Sequence, residues 1–298
     1  MTLPIDPLWP RAGSWPTPDS VTGTVDLSLI GIPTWRTSLS VTGAHATPDA
    51  VRDALRRYSV FVPGLDVEAL TVADAGTVHE PDGPEGESRA VAAMRATVMR
   101  SRVTLAIGGD NALTVPAALG SYGDDLARAG LITLDAHHDL RDGMTNGSPV
   151  RRLIEAGLDG RRVVQIGIAD FANSAVYDRR AADYGITVVT RDALHTRTVD
   201  DVMAEALAIA GAAGGPIHVD LDVDVCDRSV APACPASVPG GIAAWELRRF
   251  ARLAGASPLV RSVDIAEVDA TVDTADQRTV RLSALLVLEV LAGLSTRS

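Results

Sequence analysis

Eight short apolar runs, separated by stretches with the spacing of amphipathic helices, narrow the possible folds of this chain more than any other feature. The runs are residues 25–33, 69–73, 103–107, 131–134, 163–168, 186–189, 217–222 and 260–265. Helical stretches fall between them, among them 90–99, 175–184, 201–210, 245–253 and 280–291. Thr47 and Pro48 carry the N-cap and first-turn signals of a further helix running through Val51, Leu55 and Tyr58. Such alternation predicts an α/β fold with an eight-stranded parallel sheet covered by helices on both faces. Residues 1–298 contain no repeat, low-complexity tract or linker-like composition, so one domain is expected, with residues 80–88 as a surface loop. A hydrophobic content of 46% with only 4% aromatic residues implies a core of Ala, Val, Leu and Ile.

Two of the runs pass directly into alternating acids. Leu131-Ile-Thr-Leu leads into Asp135-Ala-His137-His-Asp139, and Ile217-His-Val leads into Asp220-Leu-Asp222-Val-Asp224. Strand side chains alternate faces, so Asp135, His137 and Asp139 are expected on one side, as are Asp220, Asp222 and Asp224. Aspartates also end strands because they start turns or cap helices. Two such clusters in one chain, one with an imidazole, point instead to carboxylates gathered around positive charge. A pair of divalent metal ions meets that requirement. Mixed oxygen and nitrogen donors suit Mn, Fe, Co, Ni or Zn better than Ca, with Mn favoured.

Several function classes are excluded. All 27 basic residues are Arg, which removes a Schiff-base lysine, a lysine general base and a P-loop lysine. A net charge of −11 argues against a nucleic-acid partner. No apolar stretch reaches membrane-spanning length and residues 1–18 lack a signal-peptide pattern, so a cytoplasmic protein with no membrane partner is expected. Cys226 and Cys234, eight residues apart, fit neither a zinc knuckle nor a disulfide framework and are expected to be packing cysteines.

Nine segments resemble the ureohydrolases, comprising arginases, agmatinases and formimidoylglutamases. They are Gly31-Ile-Pro33, residues 43–52, Asp74-Ala-Gly76, Gly108-Gly-Asp-Asn111, Asp135-Ala-His137-His-Asp139, Asn146-Gly-Ser-Pro149, Asp222-Val-Asp224-Val-Cys-Asp227, Pro239-Gly-Gly241 and Asp264-Ile-Ala-Glu267. The resemblance covers most of the chain and implies the three-layer arginase-like fold. It further implies that Asp135 and Asp222 bridge two metals, that His137 and Asp224 complete one site, and that Asp139 with Asn111 completes the other. Two adjacent cations lower the pKa of a shared water, so that hydroxide is available at neutral pH to attack an amidine or guanidine carbon. Asp139 would orient that water and carry its proton to the departing amine, and Glu267 would hold the cationic amidinium.

Two departures from the pattern bear on substrate. Asn111 stands where arginases and agmatinases have a metal-ligating histidine, so the ion there should bind weakly or be missing. Asn146 stands where other branches usually have a proton-shuttling histidine. Both substitutions, and the run Asn146-Gly-Ser-Pro-Val-Arg-Arg152, resemble the formimidoylglutamase branch. This implies N-formimino-L-glutamate as substrate, with glutamate and formamide as products of a step in histidine breakdown. Asn146, Arg36 and Arg151 are the expected substrate contacts, the arginines because the substrate carries two carboxylates. Asp220 is expected to hydrogen-bond a metal ligand from behind. The alternatives are an agmatinase or guanidino-acid ureohydrolase releasing urea, and a metal-poor inactive relative serving as a binding subunit. The family implies a homo-oligomer, a trimer or hexamer.

Overall fold

The computed structural model describes residues 6–297 and contains every one of the eight expected strands in a single sheet. They are β1 (Val25–Ile32), β2 (Val72–Thr77), β3 (Ser101–Gly108), β4 (Gly130–Leu134), β5 (Val163–Ile168), β6 (Thr187–Thr190), β7 (Ile217–Asp222) and β8 (Val260–Ala266). The sheet order is β2-β1-β3-β8-β7-β4-β5-β6 and every pairing is parallel. This is the three-layer arrangement the alternation of elements implies.

Among the described residues eight α-helices cover the sheet: α1 (Thr47–Leu55), α2 (Gly83–Val98), α3 (Thr114–Tyr122), α4 (Pro149–Ala156), α5 (Ala175–Tyr184), α6 (Val199–Ala210), α7 (Ala244–Ala256) and α8 (Arg278–Leu294). Strand alternation divides the core between the two faces. Leu27, Leu29, Leu105, Ile107, Val219, Leu221, Val263 and Ile265 pack beneath α1, α6, α7 and α8. Ile30, Ile32, Ala106 and Ala266 pack beneath α2 and α3, while Leu131 and Val163 pack beneath α3, α4 and α5. No helix among the described residues is long and apolar enough to cross a membrane.

Three local expectations are corrected. The second strand begins at Val72, three residues later than residue 69, because residues 67–70 form a turn closed by Leu70 N–H to Val67 O. Thr47 is the first helical residue rather than the cap, and its hydroxyl donates to the Val268 carbonyl at 2.5 Å, tying α1 to the exit of β8. Most of the expected loop at 80–88 is the beginning of α2, which starts after Asp82 with Pro84 in its opening turn, where proline's missing N–H has no helical role.

Candidate metal centre

Ligands collect beyond the carboxyl ends of the strands in open parallel sheets, and here four neighbouring interior strands deliver the site. β3 leads to Asn111, β8 to Glu267, β7 to Asp222 and Asp224, and β4 to Asp135, His137 and Asp139. Strand pleating sets only part of this placement. β4 ends at Leu134, so the residues beyond it are oriented by a turn in which Asp135 Oδ1 accepts the His137 N–H at 2.6 Å. Asp139 adopts a left-handed backbone, φ 51°. Asp222 is the last residue of β7, and its Oδ1 accepts the Asp224 N–H at 2.8 Å, which caps the short turn that carries Asp224. Asp224 Oδ1 in turn accepts the Ala136 N–H at 2.9 Å, locking the two strand exits together.

Asp135, His137 and Asp224 each present a ligand atom within 4.8 Å of the others. His137 Nδ1 lies 2.6 Å from Asp224 Oδ2 and 3.5 Å from Asp135 Oδ1. Asp135 is only 1% exposed and its Oδ2 has no hydrogen-bond partner among the described residues. An orphaned carboxylate oxygen at that depth is costly unless a cation meets it. Burial, with Asp224 adding to it, pushes Asp135 up to about 7. Burial also raises Asp139, Asp222 and Glu267 above the usual carboxylate range. Burial alone would pull the His137 imidazole down, but Asp224 and Asp135 overcome it and push it up to about 12. Asp224 is held low because His137 outweighs its burial. Two carboxylates, one imidazole and an unsatisfied oxygen fit a divalent cation.

The other expected ligands lie against this group. Asp222 and Asp139 line the same cleft of about 390 Å³ as His137, Asp224, Asn146 and Glu267. Asn111 is 1% exposed, and its Nδ2 donates to Asp139 Oδ2 at 2.7 Å while its Oδ1 accepts from the Thr114 hydroxyl at 2.6 Å. In this orientation the carboxamide nitrogen faces Asp139, and ligation through oxygen requires the amide to turn over. Glu267, also in a left-handed conformation at φ 59°, accepts at Oε1 from the Asn111 N–H at 2.9 Å and from Asn146 Nδ2 at 2.6 Å. Asp220 sits one step below Asp222, 1% exposed, beside Asp264 in register. Asp264 Oδ2 pairs with His218 Nε2 at 2.9 Å, and His218 Nδ1 meets the Ser262 hydroxyl at 2.6 Å.

The two arginines expected to read the substrate do not line this cleft. Arg36, with a side chain 61% exposed, faces Glu80 at 3.9 Å beside the start of α2. Arg151 turns back on its own loop, donating to the Arg141 carbonyl at 2.6 Å, to Gly143 O and to Glu155. Arg151 is tied to its own loop, and Arg36 is exposed outside the cleft. The cleft is lined instead by Arg141, which sequence reasoning missed. Arg141 forms no salt bridge among the described residues, although Arg151 and Arg180 brace the loop around it through Arg141 O, Leu140 O and Asp142. Its place two residues after Asp139 was the only available signal.

Residues 25–293 match the family model described as "Arginase family". A formimidoylglutamase of Halalkalibacterium halodurans is 34% identical over 91% of this chain and 88% of its own length. A guanidinopropionase of Pseudomonas aeruginosa is 30% identical over 91% of this chain and 87% of its own. The crystal structure of formimidoylglutamase from Bacillus subtilis superposes with a TM-score of 0.92 at 28% identity, covering 99% of this chain and 95% of that one.

Proposed function

The chain belongs to the arginase family, and from that premise we propose that it hydrolyses N-formimino-L-glutamate to L-glutamate and formamide. The observation that carries the choice of a carboxylate-bearing substrate over agmatine is Arg141. A guanidinium without an acidic partner among the described residues, on the wall of the same cleft as the acids expected to bind metal, suits an amidine that ends in carboxylates. Agmatine, with an amine at the corresponding end, would meet like charge there.

Asp135 and Asp222 would be shared by two divalent ions, with His137 and Asp224 completing the set for one and Asp139 and Asn111 for the other. Manganese suits their oxygen and nitrogen donors. Bound metal supplies Lewis acidity, which makes water acidic enough to attack at neutral pH. The protein's own groups do the remainder. Glu267 uses Oε1 on two N–H donors, and no donor among the described residues takes up Oε2, which is left to grip an amidinium N–H. Asp139 receives the proton of the attacking water and passes it to the glutamate nitrogen as the carbon–nitrogen bond breaks. Water adds its oxygen to the amidine carbon, so formamide leaves with that carbon and glutamate leaves with the protonated amine. A closed homo-oligomer, a trimer or hexamer, belongs to the same reading, and sedimentation velocity measures it.

Purified, manganese-loaded protein should release formamide and glutamate from formiminoglutamate and no urea from agmatine. Urea from a guanidino acid, with no turnover of formiminoglutamate, would reassign it to the guanidino-acid branch. An inactive binding subunit is ruled out if Asp222→Ala abolishes turnover while the protein still folds.

A further inference from the structure

We propose that Asn146 is a positioning residue, a strut that ties the mouth of the cleft to Glu267 and fixes which Glu267 oxygen meets the substrate. This rests on the reading of Glu267 as the group that grips the amidinium. Asn146 uses both ends of its carboxamide. Nδ2 donates to Glu267 Oε1 at 2.6 Å, and Oδ1 accepts the Leu39 N–H at 3.0 Å. Its backbone N–H adds a bond to Thr37 O at 3.3 Å. Leu39 and Ser40 line the cleft, and Leu39 is 57% exposed, so the mouth segment has little packing of its own to hold it. Glu267 needs an external hold as well. Its backbone sits at φ 59°, a strained region for a side chain of this kind, and among the described residues only N–H donors at Oε1 fix its carboxylate.

The amide is the side chain that suits this post. A carboxylate could still accept from Leu39 but would repel Glu267, and alanine would release both partners. The two ends of the strut can therefore be cut separately. In Asn146→Ala, hydrogen exchange of a peptide spanning residues 35–42 should accelerate about tenfold or more, while β4 amides keep their protection. In Asn146→Asp that peptide should exchange as in the unsubstituted protein. Both variants should raise KM about ten- to a hundredfold, with kcat changed much less, because Glu267 binds the amidinium less well.

Unchanged exchange at 35–42 in Asn146→Ala would overturn the strut, as would equal acceleration in both variants. An unchanged KM in both would overturn the link to Glu267. If the unsubstituted protein turns over no amidine, the functional reading fails on its own, and the exchange experiment still decides whether Asn146 holds the mouth.

Discussion

His137 Nδ1 and Asp224 Oδ2 are joined across 2.6 Å, so in the metal-free chain a proton occupies the contact that a divalent ion would take over. Burial and Asp224 push Asp135 from 3.8 up to about 7, and the two aspartates push His137 from 6.5 up to about 12. Both groups therefore hold protons in the folded state that the unfolded chain gives up. The metal-free protein must lose stability as pH rises, from about 4 to 7 through Asp135 and above about 6.5 through His137. A metal competes with those same protons. The rise in melting temperature on adding manganese should be larger near pH 8 than near pH 6. Differential scanning fluorimetry with and without the ion checks this, and a rise that shrinks with pH contradicts it.

Asp135→Asn removes a buried charge whose Oδ2 is orphaned while keeping the Oδ1 that accepts from His137. Metal content measured by mass spectrometry should fall, and activity should drop at least about a hundredfold, because metal catalysis contributes several kcal/mol. Above about pH 7, where Asp135 is ionised, the melting temperature of the metal-free variant should nevertheless rise, since a buried carboxylate oxygen without a hydrogen-bond partner among the described residues is gone.

Arg141→Gln should raise KM for a dicarboxylate amidine by about ten- to a hundredfold, the scale of a charge-assisted hydrogen bond. Gly147→Ala should act in the same direction, because a Cβ there would meet Arg141 Cδ at 2.7 Å and Nε at 3.1 Å and push the guanidinium aside. Arg36→Ala, at an exposed side chain outside the cleft, should change KM less than about twofold. Steady-state kinetics on the three variants separates these outcomes.

His218→Ala leaves the Asp264 carboxylate without its imidazole in a fully buried layer of the sheet. Breaking a buried pair from one side costs about 3–5 kcal/mol. The denaturant midpoint should fall accordingly, whereas the metal content of the folded fraction should not, since His218 lies two pleats below Asp222.

The sheet was legible because its strands are buried on both faces and read as uninterrupted apolar runs. β2 was misplaced because Val72-Ala-Asp-Ala-Gly-Thr at the sheet edge is only half apolar. α3 left no recognisable stripe, because eight of its nine residues are buried and it includes Pro116 and Gly120. The acids were visible because strand ends project them in sequence order. Arg141 was not, since being unpaired is a property of tertiary neighbours. Arg36 and Arg151 carry the same signal in the sequence, and only the fold places Arg36 outside the cleft and ties Arg151 to its own loop.

The order of the strands has a temporal meaning. β2, β1 and β3 form one flank and β4, β5 and β6 the other, while β7 and β8, made last, fill the gap between them. During synthesis the two flanks have no shared edge until residue 266 has left the ribosome, so pairing across the middle must await nearly the whole chain. His137 follows β4 of one flank and Asp224 follows β7, one of the two late strands. Ion capture by Asp135, His137 and Asp224 would therefore wait for β7 to pair with β4, and an interrupted polypeptide lacking the final two strands has no place to keep the metal.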